Sequence, residues 1–320
     1  EQAGLALTEG SGNVAVGREA LKNEDAHGLN TAIGTEALFT QNAGANAYNT
    51  AVGYRAGSSV TTGVQNTIIG GLAGDALTDS DYNVAIGYQA LSGDTLGSRS
   101  VAIGRRALAT QNFTSATNSY NVAMGYTAGE AITTGIENTL IGGLAGDAIT
   151  TADFNVAVGY GAGGAINTGG NNTIMGYIAA ADITDDTNNV VIGHRAGNAL
   201  TDSGNVIIGS DAARVGTTHS DNVIIGKTAA GNGALTSDGN VIIGMQAGQN
   251  KTSGGSNVFL GYQAGEQCTT TARSIFIGAI AGDNHDTEND NLGIGVSALN
   301  GPINGGEYNV AIGNGALDAL

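Results

Sequence analysis

The chain has 320 residues, 54 of them glycine, with one proline, one cysteine and a formal charge of −17. So acidic a chain lacks the clustered Lys and Arg that nucleic acid requires, and no apolar run approaches the twenty residues of a membrane span. Gly without a collagen triplet points to regular corners, and the lone Cys268 reads as a packed side chain, neither disulfide partner nor nucleophile.

In chain order, the predicted elements are copies of one unit. An Asn or Ser is followed by three apolar or Thr positions, a glycine, and then an alanine three residues later. The glycines are Gly17, Gly34, Gly53, Gly70, Gly87, Gly104, Gly125, Gly142, Gly159, Gly176, Gly193, Gly209, Gly226, Gly244, Gly261, Gly278, Gly295 and Gly313, and twelve of the seventeen intervals are 17 residues. Such a period means a solenoid whose units must stack to bury their apolar faces. Eighteen coils at strand spacing predict a rod of about 85 Å, a single continuous β-solenoid over residues 1–320. The chain opens and stops within a coil, which suggests a segment of a longer fibre with further domains outside it.

The three residues before each glycine predict a strand. The position just before it is Val, Ile, Leu or Met, and the position three before is Val, Ile, Leu or Thr; these side chains share one face and are expected to form the core of the coil. The middle residue points the other way and is never polar. It is Ala15, Ala32, Ala51, Ile68, Ala85, Ala102, Ala123, Leu140, Ala157, Ile174, Val191, Ile207, Ile224, Ile242, Phe259, Phe276 and Ala311, with Gly293 in one copy. A half-wet sheet would alternate apolar and polar, so these middle residues are expected to be covered by an identical neighbouring chain.

Corners explain the other fixed positions. The leading Asn is expected to cap its turn, to tolerate left-handed backbone and to bond to the Asn of the next coil. The glycine supplies positive φ, and the alanine from Ala20 to Ala316 marks a corner with room for a methyl group. Seven residues past the glycine, Val60, Leu77, Ile132, Ile149, Ile166, Ile183 and Leu200 predict a second, shorter strand.

All ten tyrosines keep two registers. Tyr54, Tyr88, Tyr126, Tyr160, Tyr177 and Tyr262 follow the repeat glycine, and Tyr48, Tyr82, Tyr120 and Tyr308 precede the repeat Asn. The first six are candidate platforms for sugar rings or a receptor; the plainer reading is that they shield the rim of the solenoid. Residues 49–88 recur at 121–160, an offset of four coils, the mark of a duplication that sets the length of a spacer.

Segments such as Asn83-Val-Ala-Ile-Gly87-Tyr-Gln-Ala90 and Asn257-Val-Phe-Leu-Gly261-Tyr-Gln-Ala-Gly265 resemble the head repeats of trimeric autotransporter adhesins and, more closely, related repeats of bacteriophage tail fibres. The resemblance covers essentially the whole chain, although the period here is longer than the adhesin head repeat. It implies a left-handed parallel β-roll packed as a homotrimer, with the middle residues as the trimer interface. It also implies attachment to a host-cell glycan or protein, other fibre or baseplate proteins as partners, and a place in the virion. The alternatives are a bacterial cell-surface adhesin and a passive shaft whose recognition lies at a tip elsewhere.

No enzyme, cofactor or metal site is expected. Gly70-Gly-Leu-Ala-Gly74 suggests a phosphate loop but belongs to the repeat. Asp75 and Asp147 follow a GGLAG segment like that of calcium-binding repeats, yet most coils lack the Asp and a calcium site needs six or more oxygens; they read as solvated. His27, His194, His219 and His285 fall in three registers and form no ligand set with one another. Asp185-Asp186 and the acidic run from Asp283 to Asp290 read as solvated loops. A polysaccharide-cutting tailspike would need a groove with paired carboxylates, and intervals of 16 to 21 residues leave little insertion to build one.

Overall fold

A computed structural model describes residues 2–215, 220–301 and 305–318; His219, Pro302 and Leu320 lie outside the described residues. The chain divides into two compact units, Glu1–Tyr160 and Gly161–Leu320. The described residues form no helix. In the first unit the strand ahead of each repeat glycine runs from Val14–Val16 through Val156–Val158, and in the second from Thr173–Met175 through Val310–Ile312. Consecutive strands within a unit pair in parallel with equivalent positions opposite one another: Thr67, Ile68 and Ile69 face Val84, Ala85 and Ile86, as Val206, Ile207 and Ile208 face Val223, Ile224 and Ile225. Each unit is a parallel β-solenoid with one strand per coil in its ladder, set by the repeat.

The leading Asn residues form a buried ladder. The backbone N–H of Asn66 donates to Oδ1 of Asn49 (2.8 Å), that of Asn83 to Asn66 (2.9 Å) and that of Ser100 to Asn83 (2.9 Å). The second unit repeats this from Asn205 to Asn189 (2.9 Å) and from Asn240 to Asn222 (2.8 Å). The amide nitrogen reaches across the coil, Asn66 Nδ2 donating to Ser80 O at 2.8 Å and Asn83 Nδ2 to Gly97 O at 3.0 Å. At Ser274 serine keeps the ladder intact, its Oγ accepting from the N–H of Asn291 at 3.1 Å, whereas Ser100 Oγ meets Ser119 Oγ and Gln111 Nε2. The Asn itself is not left-handed. Positive φ belongs to the residue before it, including Tyr48, Tyr82, Tyr120 and Tyr308.

The repeat glycines have φ from +127° to +149°. A second constraint comes from stacking, because a Cβ on Gly87 would lie 2.5 Å from the carbonyl oxygen of Gly104 in the next coil. The alanine three residues on is enclosed, from Ala20 to Ala298, and the second apolar register is core as well. It is not a strand. Val60, Leu77, Ile132, Ile149 and Ile166 each donate their N–H to the glycine three residues before, at 3.1 or 3.2 Å; that turn consumes the donor a ladder would need.

The two faces of the strand are the reverse of the expectation. Ala32, Ala51, Ile68, Ala85, Ala102, Ala123, Leu140 and Ala157 in the first unit are fully enclosed by the coil, as are Ile174, Val191, Ile207, Ile224, Ile242, Phe259 and Phe276 in the second. Ala311 is buried too and Ala15, in the first coil, half-buried. These middle residues are the core and are not available to a neighbouring chain. The flanking positions expected as core face outward: Ile33, Ile69 and Ile141 are 38–39% exposed, and Met175 and Leu260 are 41% and 42% exposed.

Volume inside each coil is shared among three positions. Where the residue four past the glycine is leucine, as at Leu21, Leu38, Leu91, Leu108 and Leu299, the middle of the strand is Ala or Gly. Where the middle is Ile, Leu, Val or Phe, that position is Gly or Ala. The reason is contact: a Cβ on Gly74 would lie 2.8 Å from Leu77, and one on Gly282 would lie 2.4 Å from the ring of Phe276. Interiors tolerate little excess volume. The longest interval, between Gly104 and Gly125, holds buried Phe113 and the two-residue strand Thr117–Asn118, which pairs in parallel with Gly97–Ser98 of the preceding coil.

Two outcomes follow for chemical denaturation of the full chain. N83A leaves the buried Ser100 N–H and Gly97 carbonyl without partners and should cost about 2–4 kcal/mol, with N83S milder. A85I should cost about 1–3 kcal/mol by overpacking, and adding L91G should recover part of that loss, so the double variant is more stable than the sum of the single changes.

Candidate binding face

The two outward strand positions of each coil give each unit a strip of mostly apolar side chains, with Thr31, Thr50, Thr67, Thr139 and Thr173 among them, bordered by the residue after the glycine on one edge and the residue before the Asn on the other. In the first unit the aromatics alternate coil by coil. The coils of Gly53, Gly87, Gly125 and Gly159 carry Tyr48 and Tyr54, Tyr82 and Tyr88, Tyr120 and Tyr126, and Phe154 and Tyr160, on opposite edges. Between them lie Gln65 and Gly71, Arg99 and Arg105, and Glu137 and Gly143. Aromatic coils thus recur every second step, roughly 10 Å apart at strand spacing.

The intervening residues hold the rings. A Cβ on Gly71 would lie 3.6 Å from the ring of Tyr88 and one on Gly143 would lie 3.5 Å from Tyr160, so the rings lean over bare backbone. The guanidinium of Arg99 sits 4.9 Å from the Tyr82 ring centroid and 5.9 Å from that of Tyr120, while Arg105 lies 5.5 Å from Tyr126 and donates to its hydroxyl at 3.2 Å. These cation–π contacts hold exposed rings in place. In the second unit the Tyr177 ring stacks on His194 at 5.5 Å. The six candidate tyrosines are 43–55% exposed. Tyr54, Tyr88, Tyr126 and Tyr160 share an edge of the first unit, and Tyr177 and Tyr262 belong to the second. Tyr48 and Gln65 line an open hollow of about 400 Å³. The sequence carries this two-coil period once Phe154, directly before Asn155, is set beside the tyrosines of the same register.

Charged groups on this surface form exposed ion pairs, Arg18 with Glu36 (2.5 Å), Arg106 with Glu130 (2.6 Å) and Arg195 with Asp211 (2.8 Å). Such pairs contribute little individually. Asp75 and Asp147 are half-buried, and desolvation raises both carboxyls above their ordinary value. Among the described residues the converging ligand-type group is Glu24, Asp25 and His27, not these aspartates; its signal in the sequence is the pair of acids three and two residues before His27. No helix among the described residues is long and apolar enough to cross a membrane.

A column of reactive side chains lies inside the second unit. Lys251, Cys268 and His285 occupy the second apolar register of consecutive coils and are fully enclosed. Phe259 and Phe276, stacked at 5.3 Å, fill the core there, leaving the register to side chains smaller at the tip or polar. Lys251 Nζ donates to the carbonyls of Ser253 (2.7 Å) and Thr271 and lies 5.7 Å from the Phe259 ring centroid. Burial lowers its pKa from 10.5 to about 8. The Cys268 thiol donates to Gly282 O at 3.3 Å, and burial pushes it up to about 12. A thiol held protonated is a packing group, not a nucleophile. Burial also lowers the pKa of His285, whose two ring nitrogens have no hydrogen-bond partner.

Lys251 gives a pH signature. Its folded pKa lies below its unfolded one, so between about pH 8 and 10.5 the unfolded chain binds more protons and stability rises with pH. The penalty of the buried charge is present in full below that window. K251M should therefore be more stable than wild type near neutral pH, and the wild type should gain roughly 3 kcal/mol on the variant as pH rises through the window, read by denaturant unfolding at several pH values.

No protein-family model matches this chain, and no curated protein does either.

Proposed function

We propose that the chain is a structural and adhesive fibre segment that associates as a homotrimer and mediates attachment to a host cell, in the manner of a bacteriophage tail fibre. The observation that carries this reading is the outward strip: the residue before the glycine is Val, Ile, Leu or Met in coil after coil and stands partly open to solvent, and the position two before it is Val, Ile, Leu or Thr. A surface of that extent is costly to leave wet and marks an interaction site. Three copies meeting along it would cover it, with Val84, Ile86 and their equivalents at the interface in place of the enclosed middle residues. A left-handed winding of the coils belongs to the same reading, as does a place in the virion beside other fibre or baseplate proteins.

The aromatic edges supply the adhesive part. Rings held by Arg or by bare glycine backbone are preorganised platforms on which a sugar ring or a receptor side chain stacks without first ordering them. Nothing in the strip asks for a cofactor.

Native mass spectrometry of the full chain should give three copies, and I69K/I86K/I103K on three adjacent coils should shift the mass to one while circular dichroism is kept. Binding to host envelopes should fall by at least about tenfold in Y88A/Y126A. A monomeric wild type at micromolar concentration, or a trimer that host envelopes do not retain, would defeat the assembly or the attachment half of the reading respectively.

A further inference from the structure

The first two coils follow one plan with a local difference. The coil of Gly34 reads Ala37-Leu38-Phe39-Thr40-Gln41-Asn42-Ala43-Gly44, and that of Gly17 reads Ala20-Leu21-Lys22-Asn23-Glu24-Asp25-Ala26-His27. In the Gly34 coil the enclosed Gln41 does the work of an amide: Oε1 accepts from Asn49 Nδ2 at 2.7 Å and Nε2 donates to Thr61 O at 3.2 Å. Gln111 plays the same part elsewhere in the unit, accepting from Asn121 Nδ2 at 2.9 Å and donating to Ser100 Oγ at 2.8 Å. An uncharged side chain therefore satisfies this position completely.

In the Gly17 coil both amides are replaced by acids, Glu24 and Asp25, and the glycine by a histidine. Glu24 is as enclosed as Gln41, but the hydrogen bonds to its oxygens are long, 3.3 Å from the His27 N–H and 3.5 Å from Asn30 Nδ2. The nearby cation Lys22 is engaged by Glu19 at 2.8 Å. The Nδ1 atom of His27 is enclosed, has no hydrogen-bond partner and lies 3.9 Å from Glu24 Oε1. One ligand atom each from Glu24, Asp25 and His27 lies within 4.8 Å of the other two.

Three neighbouring departures from the neutral plan thus each install a metal-ligand type at one spot, and the ladder needs none of them. We propose that Glu24, Asp25 and His27 form a binding site for a divalent first-row transition-metal ion. Two carboxylates and an imidazole suit Zn²⁺ or its neighbours, whereas calcium prefers oxygen alone in larger number. A dication neutralises the buried Glu24 carboxylate and gives His27 Nδ1 the partner it lacks. Bound to the folded state, it stabilises the first coils by mass action.

The test uses the full chain, with Zn²⁺ alone and Ca²⁺ alone as probes, in calorimetric titration and thermal melts. Zn²⁺ should bind saturably at one per chain and raise the melting temperature, with at least tenfold weaker binding in H27G and none at this site in E24Q/D25N/H27G. That triple variant takes on a sequence the next coil already accommodates, so without metal it should melt no lower than wild type. Equal Zn²⁺ binding by the triple variant, or no saturable binding by wild type at millimolar Zn²⁺, overturns the site. Ca²⁺ binding as tight as Zn²⁺ and untouched by H27G overturns the transition-metal assignment.

Discussion

Coils that lead with Asn hand a buried side-chain carbonyl oxygen to the next. Oδ1 of the leading Asn accepts the backbone N–H one coil ahead, for example Asn66 to Asn83 and Asn83 to Ser100, while its Nδ2 closes the far side of its own coil. The ladder fixes strand register at the point where the chain enters the interior, where an unpaired polar group would be expensive. Successive glycines can then approach so closely that no side chain fits between Gly87 and the carbonyl of Gly104, and a three-residue strand suffices because its neighbours are held on both sides.

With the backbone fixed, the core becomes a problem of volume in a slot of constant height. Leucine after the corner goes with alanine or glycine in the strand, a larger strand residue goes with glycine or alanine after the corner, and phenylalanine in the strand goes with Cys268 or His285 in the same coil. The exchange lets the sequence vary while coil shape stays constant. It also explains how ionisable groups came to be enclosed: the register that holds Ile132 or Leu77 is free for a polar side chain wherever its volume is supplied from elsewhere, as at Gln41, Asp94 and Glu24. Most of these polar groups are absorbed by the Asn ladder or by backbone carbonyls; Glu24 is the one whose charge the ladder does not use.

Outside the coil, the same regularity writes a surface. Because every coil presents the same two outward strand positions, any apolar choice there becomes a strip rather than a spot. Alternation of Tyr with Gly or Arg along the edge that follows the repeat glycine in the first unit turns isolated aromatics into supported rings at two-coil intervals. The proposed assembly and attachment rest on this strip and these edges.

The period, the strand before each glycine, the positive φ of that glycine, the buried alanine and the bonding of successive Asn residues all followed from the sequence, because each depends on local backbone chemistry repeated many times. Cys268 as a packed thiol followed as well. Which way the strand faces did not: both faces are apolar, so alternation carries no sign, and the informative signal was the covariation of Ala85 with Leu91 or of Phe276 with Gly282, which becomes meaningful once those positions are known to share one interior. The second strand was lost for a similar reason, since an apolar residue such as Leu77 reads alike in a strand or a turn until its N–H is found bonded to Gly74. Convergence of Glu24 and His27 was decided by the tertiary structure alone, because the path of a loop between two fixed ladders determines which of its side chains meet.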